Sequence, residues 1–327
     1  MAPDSATSQQ VGDSSMQNGN HKRVGDTLAI LGCGVMGTAI LLGVLSAQHS
    51  DSKVEGASLL PTRFKACVRR TETADNIRSK LPPHVLDGTV DLHVNDNASA
   101  VQKADVVLLA CQPHLFRSVL DEPGVTAGLV GKLIISVLAG VTAEEIEAHL
   151  TRQEYHKKNI TVIRVMPNIA CAVQASSSVL ETRGLDVNPI PEHFVATAHA
   201  IFSCVGTVFT TTPETFPIGT TLNGSTPAFF AMVIDGLVDG AVALGLSRKE
   251  ATQMAAATMR GTAELILSGK TTQDLRYEVA CPGGSTIQGL RTLEEARTRA
   301  VWMDAMRAST SEQSSLGEGL KVQRNSA

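Results

Sequence analysis

The sequence predicts an α/β protein, with a doubly wound, mainly parallel sheet in its N-terminal part and an all-helical C-terminal part. Three observations lead there. Between residues 27 and 212 short apolar runs alternate with amphipathic stretches, the pattern of strands separated by covering helices. The first run leads directly into a G-x-G-x-x-G turn followed by a further apolar stretch. From about residue 213 the strand signals stop and long Ala-, Gly- and Leu-rich stretches take over. The length of 327 residues, against about 150 per domain, fits two domains.

Taken in order, the polar residues 1–26 predict a disordered tail. Strands are expected at 28–31, 65–68, 106–110, 133–137, 162–165, 178–180 and 205–210, within a dinucleotide-binding domain spanning 27–212. Helices are expected at 226–246, 248–268 and 292–308, within a helical domain spanning 213–308, and a second disordered tail at 309–327. The first two helices are apolar nearly all round, which demands burial on several sides. Pairing with a second copy supplies it; packing on the chain's own N-terminal domain is the alternative. Residues 226–246 are also long enough for a membrane span, but Asp235 and Asp239 lie one turn apart on one face. Carboxylates in lipid cost roughly 2.5 kcal/mol or more each, so a buried helix is expected and no membrane partner.

Composition excludes other classes. Lys and Arg number 28 against 32 Asp and Glu, a net charge of −4, and there are only eight Phe, two Tyr and one Trp. Neither a basic surface nor a base-stacking platform is available for nucleic acid. The six cysteines form no C-x-x-C pair and mostly lie in or beside apolar runs, as in a reducing compartment. The first 26 residues lack the pattern of a secretory or transit peptide, so a cytoplasmic location is expected.

In the glycine turn, Gly32, Cys33, Gly34, Val35, Met36 and Gly37 follow a strand and open a helix. Gly32 permits the tight turn, Gly34 lets backbone approach a pyrophosphate, and Gly37 allows close helix–strand packing. A purely structural glycine turn is the alternative. The second strand ends in Arg69, Arg70 and Thr71, where an NAD site would carry a carboxylate. Two guanidinium groups favour the 2′-phosphate of NADPH over NADH, unless they are simply a solvated basic turn.

The helical part is poor in acids for alcohol chemistry. No His follows His199, and the expected helices carry Lys249 and Lys270 only at their ends. An iminium substrate needs no such acid, because its nitrogen is already protonated and hydride addition gives a neutral amine. Positioning would suffice. The stretch Cys281-Pro282-Gly283-Gly284-Ser285-Thr286-Ile287 can present backbone N–H groups and two hydroxyls to a carboxylate. A Gly-rich turn with a helix cap gives the same letters.

The chain resembles the pyrroline-5-carboxylate reductases over 28–308. The resemblance is carried by Gly32 to Ile40, Asp105 to Pro113, Ser136 to Gly140, Arg164-Val165-Met166-Pro167-Asn168, Gly224-Ser225-Thr226-Pro227-Ala228, Asp239-Gly240 with Gly245-Leu246-Ser247-Arg248, and Pro282 to Ile287. It implies a Rossmann domain, an all-helical dimerisation domain interlocking with its mate, often in a ring of dimers, and NADPH-dependent reduction of 1-pyrroline-5-carboxylate to L-proline. It further implies cofactor contacts from the glycine turn, Arg69 to Thr71, Asn97, Ala110, Cys111, Gln112, Pro113, Leu138, Ala139 and Gly140. Thr286 would be the catalytic hydroxyl, with substrate binding by Gly284, Ser285, Thr286, Ser225 and Asn168; a turn-forming Asn168 is the alternative. No metal is expected. Gln112, Asn223, Thr226, Phe229, Tyr277 and Glu278 depart from the family pattern. A paralogue acting on a substituted cyclic imine is therefore an alternative, with a β-hydroxyacid dehydrogenase or a non-enzymatic NADPH sensor as more distant ones.

Overall fold

The computed structural model describes residues 23–48, 56–86, 88–152, 160–183 and 189–322; the expected tail at 1–26 lies outside them up to residue 22. Eight strands, β1 (Thr27–Leu31), β2 (Arg63–Val68), β3 (Val90–Val94), β4 (Val106–Leu109), β5 (Leu133–Ser136), β6 (Thr161–Met166), β7 (Ser176–Glu181) and β8 (Gly206–Thr211), form one sheet in the order β3-β2-β1-β4-β5-β6-β7-β8. All neighbours are parallel except β6 and β7, which pair antiparallel through Val165↔Leu180 and Met166↔Val179. Every expected strand is present. β3 escaped the sequence analysis, because only Val90 of its five residues is buried and Asp91 and His93 interrupt its apolar pattern.

The helices among the described residues are α1 (Val35–Gln48), α2 (Thr71–Lys80), α3 (Pro83–Leu86), α4 (Asn97–Gln102), α5 (Phe116–Leu120), α6 (Val125–Gly128), α7 (Ala143–Leu150) and α8 (Glu192–Ser203) around the sheet. They are followed by α9 (Phe216–Gly224), α10 (Thr226–Ala243), α11 (Arg248–Leu267), α12 (Thr272–Val279), α13 (Ser285–Glu295) and α14 (Thr298–Val322). Two-residue alternation along the strands divides the core. Leu28, Ile30, Phe64, Leu108 and Ile135 join Ile40 and Phe202 on one face, whereas Ala29, Leu31, Val107, Leu109 and Ile134 join Phe116 and Ile146 on the other. A strand buried on both faces favours a continuous apolar run, and β1 carries Leu-Ala-Ile-Leu after Thr27.

Two expectations at the C-terminus are corrected. The single helix expected at 292–308 is two, α13 and α14, and the chain stays helical to Val322 instead of becoming a disordered tail at 309. Contacts with α9 and α10 hold α14 in place: Thr221 Oγ1 donates to Gln313 Oε1 at 3.0 Å and Ser309 Oγ donates to Ser225 Oγ at 3.0 Å. Residues 323–327 lie outside the described set.

The burial expected for the apolar helices is also absent within one chain. In α10 only Thr226 and Val238 are buried, in α11 only Ala251, and none in α12 or α13. The stretch 216–243 is long and apolar enough to cross a membrane, yet it carries Asp235 and Asp239, and Asp239 pairs with Arg248 at 2.8 Å.

Candidate functional site

The chain turns back across the sheet between β1 and β4: after β1 it builds β2 and β3 on one side, then returns to build β4 and β5 on the other. Loops at the carboxyl ends of these strands meet at that reversal, where parallel α/β sheets bind ligands. Gly32 has φ +85°, and a Cβ there would lie 2.5 Å from Cys111 Cα, so glycine is required both by conformation and by the approach of the β4 loop. At Gly37 a Cβ would come within 2.9 Å of Ile30 Cγ2 and 3.3 Å of Gly32 O, which seats α1 tightly on β1. Gly34 differs. Its added Cβ would meet nothing closer than Gly32 O at 4.0 Å, leaving the space beside the start of α1 open. Gly32 and Gly37 therefore have the turn and packing roles expected of them, and the space at Gly34 is wide enough to fit a pyrophosphate.

The neighbouring loops assemble around this turn. Cys33 N donates to Cys67 O at 2.8 Å, tying the glycine turn to the end of β2, from which Arg69 and Arg70 project exposed. Neither guanidinium group has a hydrogen-bond or ion-pair partner among the described residues, and Thr71 opens α2 beside them. Ala110 N donates to Leu31 O at 2.9 Å, Cys111 packs on Gly32, and exposed Gln112 caps the short 3-10 turn Pro113–Leu115. From β5, Val137 N donates to Leu109 O at 3.1 Å; buried Leu138, exposed Ala139 and Gly140, at φ +72°, follow. Val35 stands 88% exposed on the turn, with Met36 partly buried behind it. Burial pushes the Cys111 thiol up to about 11 and the Cys33 thiol up to about 12, so both are neutral hydrophobes at pH 7. Among the described residues no cluster of His, Cys, Asp or Glu could hold a metal ion.

At the carboxyl end of β6 the structure favours the turn-forming role of Asn168. Its Oδ1 accepts from Ala170 N at 3.0 Å and its Nδ2 donates to Asn223 O at 3.2 Å. Asn223 returns the contact, donating from Nδ2 to Met166 O at 2.6 Å. This reciprocal clip joins the sheet domain to the end of α9, and Asn223 is one of the departures from the family pattern. Ser225, between α9 and α10, accepts from Ser309, which leaves its own hydroxyl proton available. Sequence analysis had no signal for Ser309, which is 84 positions away.

Gly283, at φ +72°, and Gly284 lead into α13, where Ser285 and Thr286 occupy the first turn. Gly284 N donates to Cys281 O at 3.0 Å, and no side chain caps this end, so the N–H groups of Ser285 and Thr286 are open to an anion, whereas that of Gly284 is already engaged. Tyr277 is 81% exposed, and Glu278 is ion-paired with Lys270. Among the described residues no hydrogen bond or ion pair joins α12 or α13 to the sheet domain, so one chain does not bring Thr286 to the glycine turn by such links.

A strand–glycine turn–helix unit at the reversal of a doubly wound sheet, followed by a helical domain, is the framework of a nicotinamide-dependent oxidoreductase. Residues 27–140 match the family described as NADP oxidoreductase, coenzyme F420-dependent, and residues 213–316 match pyrroline-5-carboxylate reductase dimerisation. A Delta-1-pyrroline-5-carboxylate reductase of Curvularia clavata is 43% identical over 312 residues, covering 90% of this chain and 98% of its own. The structure of a pyrroline-5-carboxylate reductase from Coxiella burnetii superposes with TM-score 0.73 at 25% identity, covering 88% of this chain and 97% of that one. The Plasmodium falciparum pyrroline carboxylate reductase, solved with NADP bound, has the same fold, with TM-score 0.69, 23% identity and coverage of 90% and 100%. The chain belongs to the pyrroline-5-carboxylate reductase family.

Proposed function

We propose that this protein reduces 1-pyrroline-5-carboxylate to L-proline with NADPH. The observation that carries the proposal is the coexistence of an open glycine turn, with unpaired Arg69 and Arg70 beside it, and an uncapped α13 N-terminus behind Gly283 and Gly284. When bound, the cofactor supplies a hydride. Gly34 and the first turn of α1 hold its pyrophosphate, and the two arginines hold the 2′-phosphate that distinguishes NADPH from NADH. The N–H groups of Ser285 and Thr286 hold the substrate carboxylate, while the Thr286 hydroxyl orients the ring nitrogen. Ser225 offers its free hydroxyl proton to the same substrate. Hydride adds to the carbon of the C=N bond, the π electron pair moves to nitrogen, and the protonated iminium becomes a neutral amine without a general acid. This is catalysis by orientation.

The same proposal includes a homodimer, open to assembly into a ring of dimers. Met232 and Leu237 on α10 are 70% and 60% exposed, and Met254 on α11 is 62% exposed. Between the two helices runs an apolar groove of about 440 Å³, lined by Leu237, Leu246, Met254 and Met259 among others. Apolar surface of this extent is normally covered. A second copy covers it without a membrane, and can bring its α13 turn to the first chain's glycine turn. The six free thiols fit a cytoplasmic location. Oxidation of NADPH by purified protein with pyrroline-5-carboxylate tests the activity; no turnover would refute it.

A further inference from the structure

One polar contact beside the dinucleotide site has no role in the proposal above. Asn97 Nδ2 donates to both carboxylate oxygens of Glu122, at 2.9 and 2.8 Å. We propose that Glu122 is a positioning residue for the cofactor: it holds the Asn97 amide so that the carbonyl oxygen accepts a proton from a ribose hydroxyl common to NADH and NADPH. This rests on the assignment of the Rossmann crevice to a nicotinamide dinucleotide, and not on the identity of the imine.

Chemistry fixes the amide's orientation, since an ionised carboxylate only accepts and must face the N–H side of the amide. Oδ1 is thereby turned away from Glu122, and it has no hydrogen-bond partner among the described residues. Asn97 is the first residue of α4 and only half-buried. It follows β3 after a short turn in which Asn95 N donates to Val68 O at 3.0 Å, and this ties the start of α4 to the end of β2. Glu122 reaches the same place from the turn between α5 and α6. Gly124 has φ +88°, and a Cβ on it would lie 3.3 Å from Ala98 Cβ, so this turn is seated closely on α4. Burial raises the pKa of the Cys67 thiol, with smaller contributions from Cys33, Asp96 and Glu122, consistent with the Glu122 carboxylate lying near the end of β2.

The division of labour follows. A dianionic 2′-phosphate has no hydrogen to give and cannot bond to a carbonyl oxygen, whereas a ribose hydroxyl can. Arg69 and Arg70 therefore discriminate between cofactors, and the Glu122–Asn97 pair strengthens both alike.

The test is direct binding of NADPH and of NADH, by titration of the reduced nicotinamide fluorescence, with no imine present. For Glu122→Ala we expect both dissociation constants to rise by about tenfold, the effect of one oriented hydrogen bond, with their ratio unchanged. Asn97→Ala should match it, and the double variant should be no worse than either single one. Glu122→Gln keeps an acceptor for the amide and should stay within about threefold of wild type; if Glu122→Ala folds poorly, Asn97→Ala decides the matter, since unchanged binding there would overturn the proposal. Selective loss of NADPH would show that Asn97 donates to the 2′-phosphate and would overturn the proposal. Unchanged binding in Glu122→Ala, or additive losses in the double variant, would overturn it as well. Wild-type protein that binds neither dinucleotide would instead refute the cofactor assignment on which the proposal rests.

Discussion

Replacing Gly34 by alanine separates folding from cofactor binding. Its φ lies outside the left-handed region, and the new methyl group would meet no atom closer than Gly32 O at 4.0 Å. The free fold therefore has no reason to weaken, and the stiffer unfolded chain should add about 0.4–1 kcal/mol of stability. The methyl group does, however, occupy the space through which a pyrophosphate reaches the N–H groups of α1. Hydrogen bonds to a charged group contribute about 1.5–3 kcal/mol each; losing one at about 2 kcal/mol weakens NADPH binding by roughly thirtyfold. Gly32→Ala provides the contrast. It combines a left-handed backbone with a contact of 2.5 Å to the Cys111 backbone, so we expect a loss of about 3 kcal/mol or more in stability. Thermal melting without cofactor, followed by fluorescence titration with NADPH, measures both effects. A Gly34→Ala protein that melts like wild type and binds NADPH equally well would refute the placement of the pyrophosphate over Gly34.

Three further outcomes are expected. Joint replacement of Arg69 and Arg70 by alanine should lower the preference for NADPH over NADH by at least about tenfold in steady-state kinetics, through loss of the charge-assisted contacts to the 2′-phosphate; an unchanged ratio would place that phosphate elsewhere. Thr286→Ala should reduce kcat/KM for the imine by at least about tenfold while NADPH affinity hardly changes, and serine should restore much of the loss where valine does not. Valine equal to wild type would make Thr286 a helix residue only. Light scattering at micromolar concentration should show a dimer or a multiple of it, and a stable, active monomer would contradict the pairing of α10 and α11.

The features legible in the sequence are those set within a few residues. Leu28 to Leu31, Gly32, Gly34 and Gly37 carry their strand, turn and packing roles in local order, because tight turns and close helix–strand approach restrict the residue at each position. The expected strands were likewise visible as apolar runs, since covering a strand on both faces favours apolar side chains. β3 was not visible, since its half-covered residues include Asp91 and His93. Nor was the α13–α14 boundary, or the helicity beyond residue 308, because neither helix carries a strong apolar run and α14 is held partly by Ser309 and Gln313 contacting residues 84 and 92 positions away.

The sequence by itself determined the class of fold, the strand, glycine turn and helix that run from Leu28 into α1, and the family. Only the tertiary structure decided that Gly32 must admit Cys111, that Asn168 is engaged with Asn223, that the Asn97 amide donates to Glu122, and that α10 and α11 remain uncovered within one chain. The physical reason is range: backbone conformation and periodic burial are set by neighbours along the chain, whereas a hydrogen bond or a packed face depends on which distant segment the folded sheet brings beside it.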